Sequence, residues 1–348
     1  MVNSQAHAGL AVFRADASPA LGSGHVMRCL ALADALITRG WRIGFACSPE
    51  TLTTVPQLGM ATLDILVIDA SVEQEPVQLA RHWAHADWLV VDHYRRDADF
   101  ETACRPWASH IFVIDDLANR AHNADCLLDM TLGRDAADYA QLVSGTCQFL
   151  LGTDYALTRP QFVQARADSL SRRLNKTAVQ RLLISLGATD PVNATGFVLE
   201  ALAESDGAFE IDVVLSSAAA CLDQVREQAA RLSQVTRLQI DVADMSGLMQ
   251  QADLSIGACG TTAWERCILG LPTVAIVTGD DQRRIAAALQ QAGAAHVCGW
   301  HADLDQAALR AAIEQLCTHP EELNEMSVRA AMVCDGRGAQ RVAEYLAS

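Results

Sequence analysis

The chain has 348 residues, 51% of them hydrophobic, which is enough for two globular domains that each bury a core and excludes a disordered chain. Its formal net charge of -16 argues against nucleic acid or an anionic membrane as a partner, because either needs a basic surface to replace counterions. A small-molecule ligand is expected, and any phosphate on it has to be held locally by helix N-termini and a few arginines.

Of the 26 basic residues 25 are arginine, and the single lysine, Lys176, sits in a polar stretch away from any glycine loop. That excludes a Walker-type phosphate loop and disfavours Schiff-base chemistry. The 11 cysteines, an odd number without a C-x-x-C pair, fit reduced thiols in a cytosolic protein better than a disulfide framework or a zinc site. Residues 1–8 lack the basic stretch and apolar core of a signal peptide, and no apolar run reaches the roughly 18 residues of a membrane span. A cytoplasmic protein is expected, monomeric or weakly oligomeric, with no cofactor and no metal.

Short apolar runs alternate with helical periodicity through the first half, the pattern of a parallel sheet wrapped by helices. Strands are predicted at 9–14, 41–47, 64–68, 88–92, 110–114 and 148–151, and a first crossover helix at 25–38, where Val26, Leu30, Leu32, Ala33 and Leu36 recur at helical spacing. A second alternation begins at Arg181, with strands at 182–186, 211–215, 237–242, 254–257 and 273–277. Helices are predicted near 193–204, 219–232, 261–269, 281–291 and 303–317. The stretch 153–180, with Arg159-Pro160, an amphipathic helix and the charged run 172–176, reads as a linker. The expected organisation is an N-terminal domain over 1–152 and a C-terminal domain over 181–348, whose last helix, near 338–347, packs on either domain. Two doubly wound α/β domains facing a cleft follow, with ligands at the C-terminal ends of their strands.

Arg14 and Asp16 precede the loop Gly22-Ser23-Gly24, and His25 and Arg28 open the helix after it. Glycines here let the backbone approach a ligand and aim the first helical N–H groups at an anion or a polar sugar face. The dinucleotide fingerprint needs a third glycine where Met27 stands, so nicotinamide binding is disfavoured. At a helix N-terminus the dipole disfavours imidazolium, which leaves His25 as a neutral base or as a mere cap. Arg28 either neutralises phosphate or pairs with Asp16. Asp115 and Asp116, at the end of a strand, either bind a cation or accept hydrogen bonds from loop backbone.

In the second half Gly187-Ala188 turns into a helix that Thr189 or Asp190 can cap. Gly260-Thr261-Thr262 leads from a strand into another helix, offering N–H groups and hydroxyls to a diphosphate, and Glu265 lies one turn on, in reach of a ribose diol. A capped core helix with a solvated Glu265 is the alternative. Asp280, Asp281 and Gln282 open the next helix.

Six segments in order carry a resemblance: FRADASPALGSGHVMRCLALADAL from Phe13, VVDHY from Val90, VIDDLANR from Val113, LLGTDYALTRPQF from Leu150, LISLGATDPVN from Leu183 and SIGACGTTAWERCILGLP from Ser255. Together they resemble the UDP-sugar hydrolases of pseudaminic acid biosynthesis, PseG, and the related spore-coat polysaccharide proteins, SpsG. The resemblance implies a glycosyltransferase-B fold similar to MurG, with the nucleotide held by the C-terminal domain. It implies hydrolysis of UDP-2,4-diacetamido-2,4,6-trideoxy-β-L-altropyranose to UDP and the free sugar. It also makes His25 catalytic and maps the tyrosine of V-D-H-Y onto Tyr94.

The sequence departs from the family where an asparagine before Gln282 is replaced by Asp281, and where glycine pairs become Gly187-Ala188 and Cys259-Gly260. A carboxylate at 281 cannot donate a hydrogen bond to the sugar unless protonated, so an altered acyl group or sugar isomer is a possible consequence. The expected mechanism has His25 take a proton from water attacking the anomeric carbon with inversion. Tyr94 orients sugar or water, and the Gly260-Thr261-Thr262 helix start meets the charge of departing UDP. A transferase of the same fold, a sugar-nucleotide-binding protein without turnover, and a hydrolysing epimerase using Asp281 as a base are the alternatives.

Overall fold

The computed structural model describes residues 8–61, 63–174 and 176–348. The opening segment 1–7 and Asn175 of the charged run lie outside them. The chain divides into two compact units: the described residues up to Thr158 together with Arg337–Ser348, and Arg159–Gly336.

The first unit is built in the order β1 (Leu10–Ala15), α1 (Gly24–Ile37), β2 (Arg42–Cys47), α2 (Pro49–Thr54), α3 (Pro56–Met60), β3 (Asp64–Val67), α4 (Glu75–His82), β4 (Ala86–Asp92), α5 (Ala98–Cys104), β5 (Ala108–Ile114), β6 (Cys126–Asp129) and β7 (Gln148–Leu151). All seven strands are parallel, in the order β3-β2-β1-β4-β5-β6-β7. A parallel sheet covered on both faces buries every side chain, which is why β1 reads as the continuous run LAVFRA and is buried throughout. Strand order reverses between β1 and β4, and open α/β sheets bind ligands at such a point, outside the carboxyl ends of the strands.

The second unit starts with α6 (Pro160–Arg173) and continues through β8 (Arg181–Ser185), α7 (Ala194–Leu202), β9 (Glu210–Leu215), α8 (Leu222–Arg231), β10 (Thr236–Ile240), α9 (Met245–Gln251), β11 (Leu254–Ala258), α10 (Thr262–Ile268), β12 (Thr273–Val277), α11 (Arg283–Gln291), β13 (His296–Trp300), α12 (Gln306–Thr318) and α13 (Pro320–Val333). Its sheet, also parallel, runs β10-β9-β8-β11-β12-β13, with the reversal between β8 and β11. The last helix, α14 (Gly338–Leu346), belongs to the first unit. There Trp88 Nε1 donates to the Leu346 carbonyl at 3.0 Å, and Arg39 pairs with Glu344 at 2.8 Å.

The stretch read as a linker is mostly α6, which is integral to the second unit. Its arginines are spent on helix C-termini, where carbonyls lack partners and the dipole is negative. Arg173 Nη2 donates to the carbonyls of Met249 and Ala252 at 2.7 and 2.9 Å, and Arg172 Nη2 to that of Gln251 at 2.6 Å, closing α9. Arg166 reaches the carbonyls of Ile268 and Ala331, at the ends of α10 and α13. Periodicity also passes over β6, only four residues long, and over β13, a half-buried edge strand containing a glycine, with a register shift opposite Ala275 and Ile276.

Candidate active site

In the first unit the loop after β1 folds back at Gly22, whose φ of 78° suits glycine, with Gly22 N on the Ser18 carbonyl at 2.8 Å. Ser23 then opens α1 without a side-chain cap, and the first turn holds no acid. Gly22, Ser23 and Gly24 are half-buried, and His25 behind them is 6% exposed.

His25 Nδ1 lies 2.6 Å from Oδ1 of Asp92, the last residue of β4. Arg28 clamps the same carboxylate, Nε to Oδ2 and Nη2 to Oδ1, each at 2.6 Å, and its Nη1 donates to Asp116 Oδ2 at 2.8 Å. Burial opposes ionisation of Asp92, yet the charge of Arg28 and the hydrogen bonds from Arg28 and His25 hold its carboxyl well below the usual carboxylate range. Tyr94, half-buried, sets its ring edge-on to His25, 4.6 Å between centroids at 88°.

The next residue of the motif, His93, turns to a separate cluster. Its Nδ1 accepts from Arg95 N at 2.9 Å, so the neutral ring carries its proton on Nε2, which donates to Asp16 at 3.0 Å. Burial lowers the pKa of His93, partly offset by Asp16. Arg14 spans Asp16 and Glu75, each at 2.6 Å, and Arg96 also pairs with Glu75.

These contacts correct the expectations for Arg14 and Asp16 and for Arg28, and Asp115 takes the second of its two expected roles. Arg14, 2% exposed, and Asp16, 9% exposed, are consumed by one another, by Glu75, by His93 and by Ser48 N, so neither offers a group to substrate. Arg28 is 4% exposed and bound to Asp92 and Asp116, not to Asp16, and it has no face turned to a phosphate. Asp115 serves loop structure: it accepts from Ala118 N at 2.7 Å and pairs with Arg120. Among the described residues no group of three or more His, Cys, Asp or Glu is placed to hold a metal ion. Nor, among them, is any helix long and apolar enough to cross a membrane.

In the second unit the sequence-predicted residues gather at the ends of the adjacent strands β8, β11 and β12. Gly187 takes a φ of +115°, and the Ala188 carbonyl accepts from Ser216 N at 2.7 Å. The start of α7 is already filled: Asp190 accepts from Ala194 N and Thr195 N at 3.0 and 2.8 Å, and Asn193 from Gly196 N at 3.2 Å. The N–H groups of Ala194, Thr195 and Gly196 are therefore already satisfied by side chains of the turn. The start of α10 differs: Thr261 caps it without a side-chain hydrogen bond, and Gly260, Thr261 and Thr262 are half-buried while every residue from Ala252 to Cys259 and from Ala263 to Pro272 is buried.

Glu265, 7% exposed, accepts from Arg159 Nε at 3.0 Å and pairs with its Nη2 at 2.9 Å, through Oε1 alone; Oε2 is buried with no partner among the described residues. Burial raises the Glu265 pKa, and Arg159 offsets part of that. The neighbouring Arg266 packs its guanidinium over Gly257, where an ideal Cβ would stand 2.5 Å from Nη1, so β11 needs glycine there.

Gln282 acts within the protein. Its Oε1 accepts from Cys259 N and Thr278 N, both at 3.1 Å, tying the β11 and β12 loops together, so it positions the α10 loop and does not face substrate as expected. Asp281 is half-buried and folds over Gly279, whose ideal Cβ would lie 2.5 Å from Asp281 Oδ1. Sequence reasoning overlooked Asp92 and Arg159. The signal for Asp92 was available: a carboxylate ending the apolar run of β4, two residues before Tyr94.

Residues 187–343 match the model of the glycosyltransferase family 28 C-terminal domain. An uncharacterized protein of Methanocaldococcus jannaschii is 28% identical over 279 residues, 77% of this chain and 55% of that protein, so the match spans about half of its length. The UDP-2,4-diacetamido-2,4,6-trideoxy-β-L-altropyranose hydrolase of Campylobacter jejuni is 25% identical over 287 residues, 81% of this chain and 96% of that one. Among solved structures, MurG of Acinetobacter baumannii superposes with a TM-score of 0.72 at 16% identity, covering 97% of this chain and 99% of the other. The likeness establishes the fold as that of the glycosyltransferase-B enzymes, with two Rossmann-like domains of parallel sheet.

Proposed function

We propose that the protein is a UDP-sugar hydrolase acting on a 2,4-diacetamido-2,4,6-trideoxyhexose, the β-L-altropyranose or a close isomer, for pseudaminic or a related nonulosonic acid. The observation that carries the reading is His25, buried at an uncapped helix start and held on Asp92 at 2.6 Å. A histidine so held suits proton abstraction from water. The hydrolase of Campylobacter jejuni, similar over 81% of the chain, supports the choice of sugar.

In this reading water oxygen attacks the anomeric carbon and its proton passes to His25. The bond from that carbon to the β-phosphate oxygen breaks, its electron pair leaves with UDP, and the free sugar has inverted configuration. The uncapped N–H groups at Gly260, Thr261 and Thr262 take the diphosphate charge, and the unpartnered Oε2 of Glu265 takes the ribose hydroxyls. Gly22, Ser23 and Gly24 border the sugar and Tyr94 orients it.

The test is incubation with a panel of UDP-diacetamido-trideoxyhexoses in ¹⁸O-water, following UDP release and the anomer formed. Label in the sugar and none in UDP is expected; no release from any member of the panel overturns the reading. The family 28 match favours a transferase as the second reading, which predicts UDP release only when an acceptor is added.

Glu265→Gln is expected to weaken UDP binding about tenfold, roughly 1.4 kcal/mol, as a neutral amide replaces an ionised acceptor. The same variant should gain stability at neutral pH. A carboxyl whose pKa is raised by folding contributes stability below its ordinary pKa and loses it as pH rises through the shifted value, a loss that glutamine lacks. Titration calorimetry with UDP, and melting curves at pH about 4 and about 8, check both halves, with the gain expected only at the higher pH.

A further inference from the structure

His25 and Arg28 are three residues apart on α1, which puts both side chains on one face of the helix, and both reach the carboxylate that ends β4. Asp92, 1% exposed, receives His25 Nδ1 and Arg28 Nη2 on Oδ1, and Arg28 Nε and the Cys29 thiol on Oδ2, the last at 3.5 Å. Burial keeps Cys29 a thiol, and a guanidinium can only donate. An ionised oxygen 2.6 Å from an imidazole nitrogen requires a hydrogen on that nitrogen, because two lone pairs repel at this distance. The 3.1 Å approach of Arg28 Nη2 to His25 Nδ1 is then a contact between two donors aimed at the same carboxylate.

We propose that Asp92, clamped by Arg28, is the positioning residue that holds His25 as its Nδ1–H tautomer and makes Nε2 the proton acceptor, so that the histidine-to-arginine spacing serves the histidine and not a phosphate. The inference rests on His25 being the base. The charges support it: with neutral His25 the cluster of Asp92, Arg28 and Asp116 carries a net charge of -1, from two carboxylates and one guanidinium, and a proton taken by His25 brings it to neutrality. The Tyr94 ring, edge-on at 88°, fixes the plane in which Nε2 lies.

The wild-type tautomer is read directly from ¹⁵N multiple-bond NMR of the imidazole side chains at mildly alkaline pH, with His25 assigned by its absence in His25→Gln. A protonated Nδ1 and an unprotonated Nε2 are expected, and the opposite pattern overturns the proposal. Asp92→Asn, whose amide can donate to Nδ1, should shift His25 toward the Nε2–H form. It should also lower kcat for UDP release roughly 10- to 100-fold with KM within about twofold. Full activity in Asp92→Asn with the Nδ1–H form retained also overturns it. If that variant does not fold, the wild-type spectrum decides alone. An Nδ1–H wild type that releases UDP from no sugar of the panel would keep the tautomer assignment and sink the hydrolase reading.

Discussion

Replacing His25 with glutamine is expected to lower kcat for UDP release by about 10²–10⁴-fold, the range for removing a general base, while the dissociation constant for UDP stays within about twofold. The size of the loss follows from the absence of a substitute nearby. His93, the other imidazole of the β1 and β4 ends, has its Nδ1 occupied by Arg95 N and its Nε2 by Asp16, so neither nitrogen can take a proton from water. Asp92 cannot take the role either: without His25, Arg28 still donates to both of its oxygens and the Cys29 thiol to one, and the guanidinium charge keeps the carboxyl a poor base. The measurement is single-turnover and steady-state release of UDP from the UDP-diacetamido sugar that the panel identifies. A His25→Gln enzyme within about twofold of wild type would remove His25 from the chemistry.

How much of this could be read from the sequence depends on whether a residue's partners are local. The two doubly wound sheets were legible because buried parallel strands write themselves as apolar runs such as LAVFRA and TVAIV. The place of His25 in the first turn of α1 was legible because a glycine loop before a helix start is a local signal. Arg28 was misjudged because its partners, Asp92 and Asp116, lie 64 and 88 residues away, and nothing near Arg28 announces that its donors are taken. Arg14 and Asp16 failed for the same reason: charged residues at a strand end read as ligand contacts until Glu75, 61 residues on, is seen to close the cluster.

The helix α6 failed differently. The stretch read as a linker holding an amphipathic helix and a charged run, whereas Arg166 and Arg173 reach the carbonyl ends of other helices, whose positions only the folded second unit defines. Glu265 and its neighbours were legible as a strand, a small-residue loop and a helix. What the sequence could not supply is that one of the two Glu265 oxygens is spent on Arg159 and the other is not.

The first unit should depend for its stability on a residue outside the proposed proton transfer, and Glu75→Ala is expected to destabilise it by about 3–5 kcal/mol. Glu75 opens α4 and is wholly buried, with Arg14 Nε on its Oε1 at 2.6 Å and Arg96 on both oxygens. Burial opposes its ionisation, but the bonds and charges of Arg96 and Arg14 prevail and lower its pKa. Alanine leaves two buried guanidinium groups facing each other with only Asp16 between them and neutrality, and the cost is the desolvation of those cations more than the lost attraction. The sign with pH is fixed: a carboxyl whose pKa is depressed by folding contributes stability above its ordinary value and loses it as pH falls through the depressed one. Urea unfolding of the wild type should therefore weaken from about pH 5 downward by an increment that Glu75→Ala lacks, giving the variant a lower but flatter acid limb. Filling the space with apolar atoms, as in the double change Glu75→Leu with Arg96→Met, should recover part of the loss, because removing a buried pair together spares the stranded charge. Recovery without any change in the His25 tautomer would assign this cluster to holding the β1 and β4 ends in place, apart from the proton transfer at Asp92.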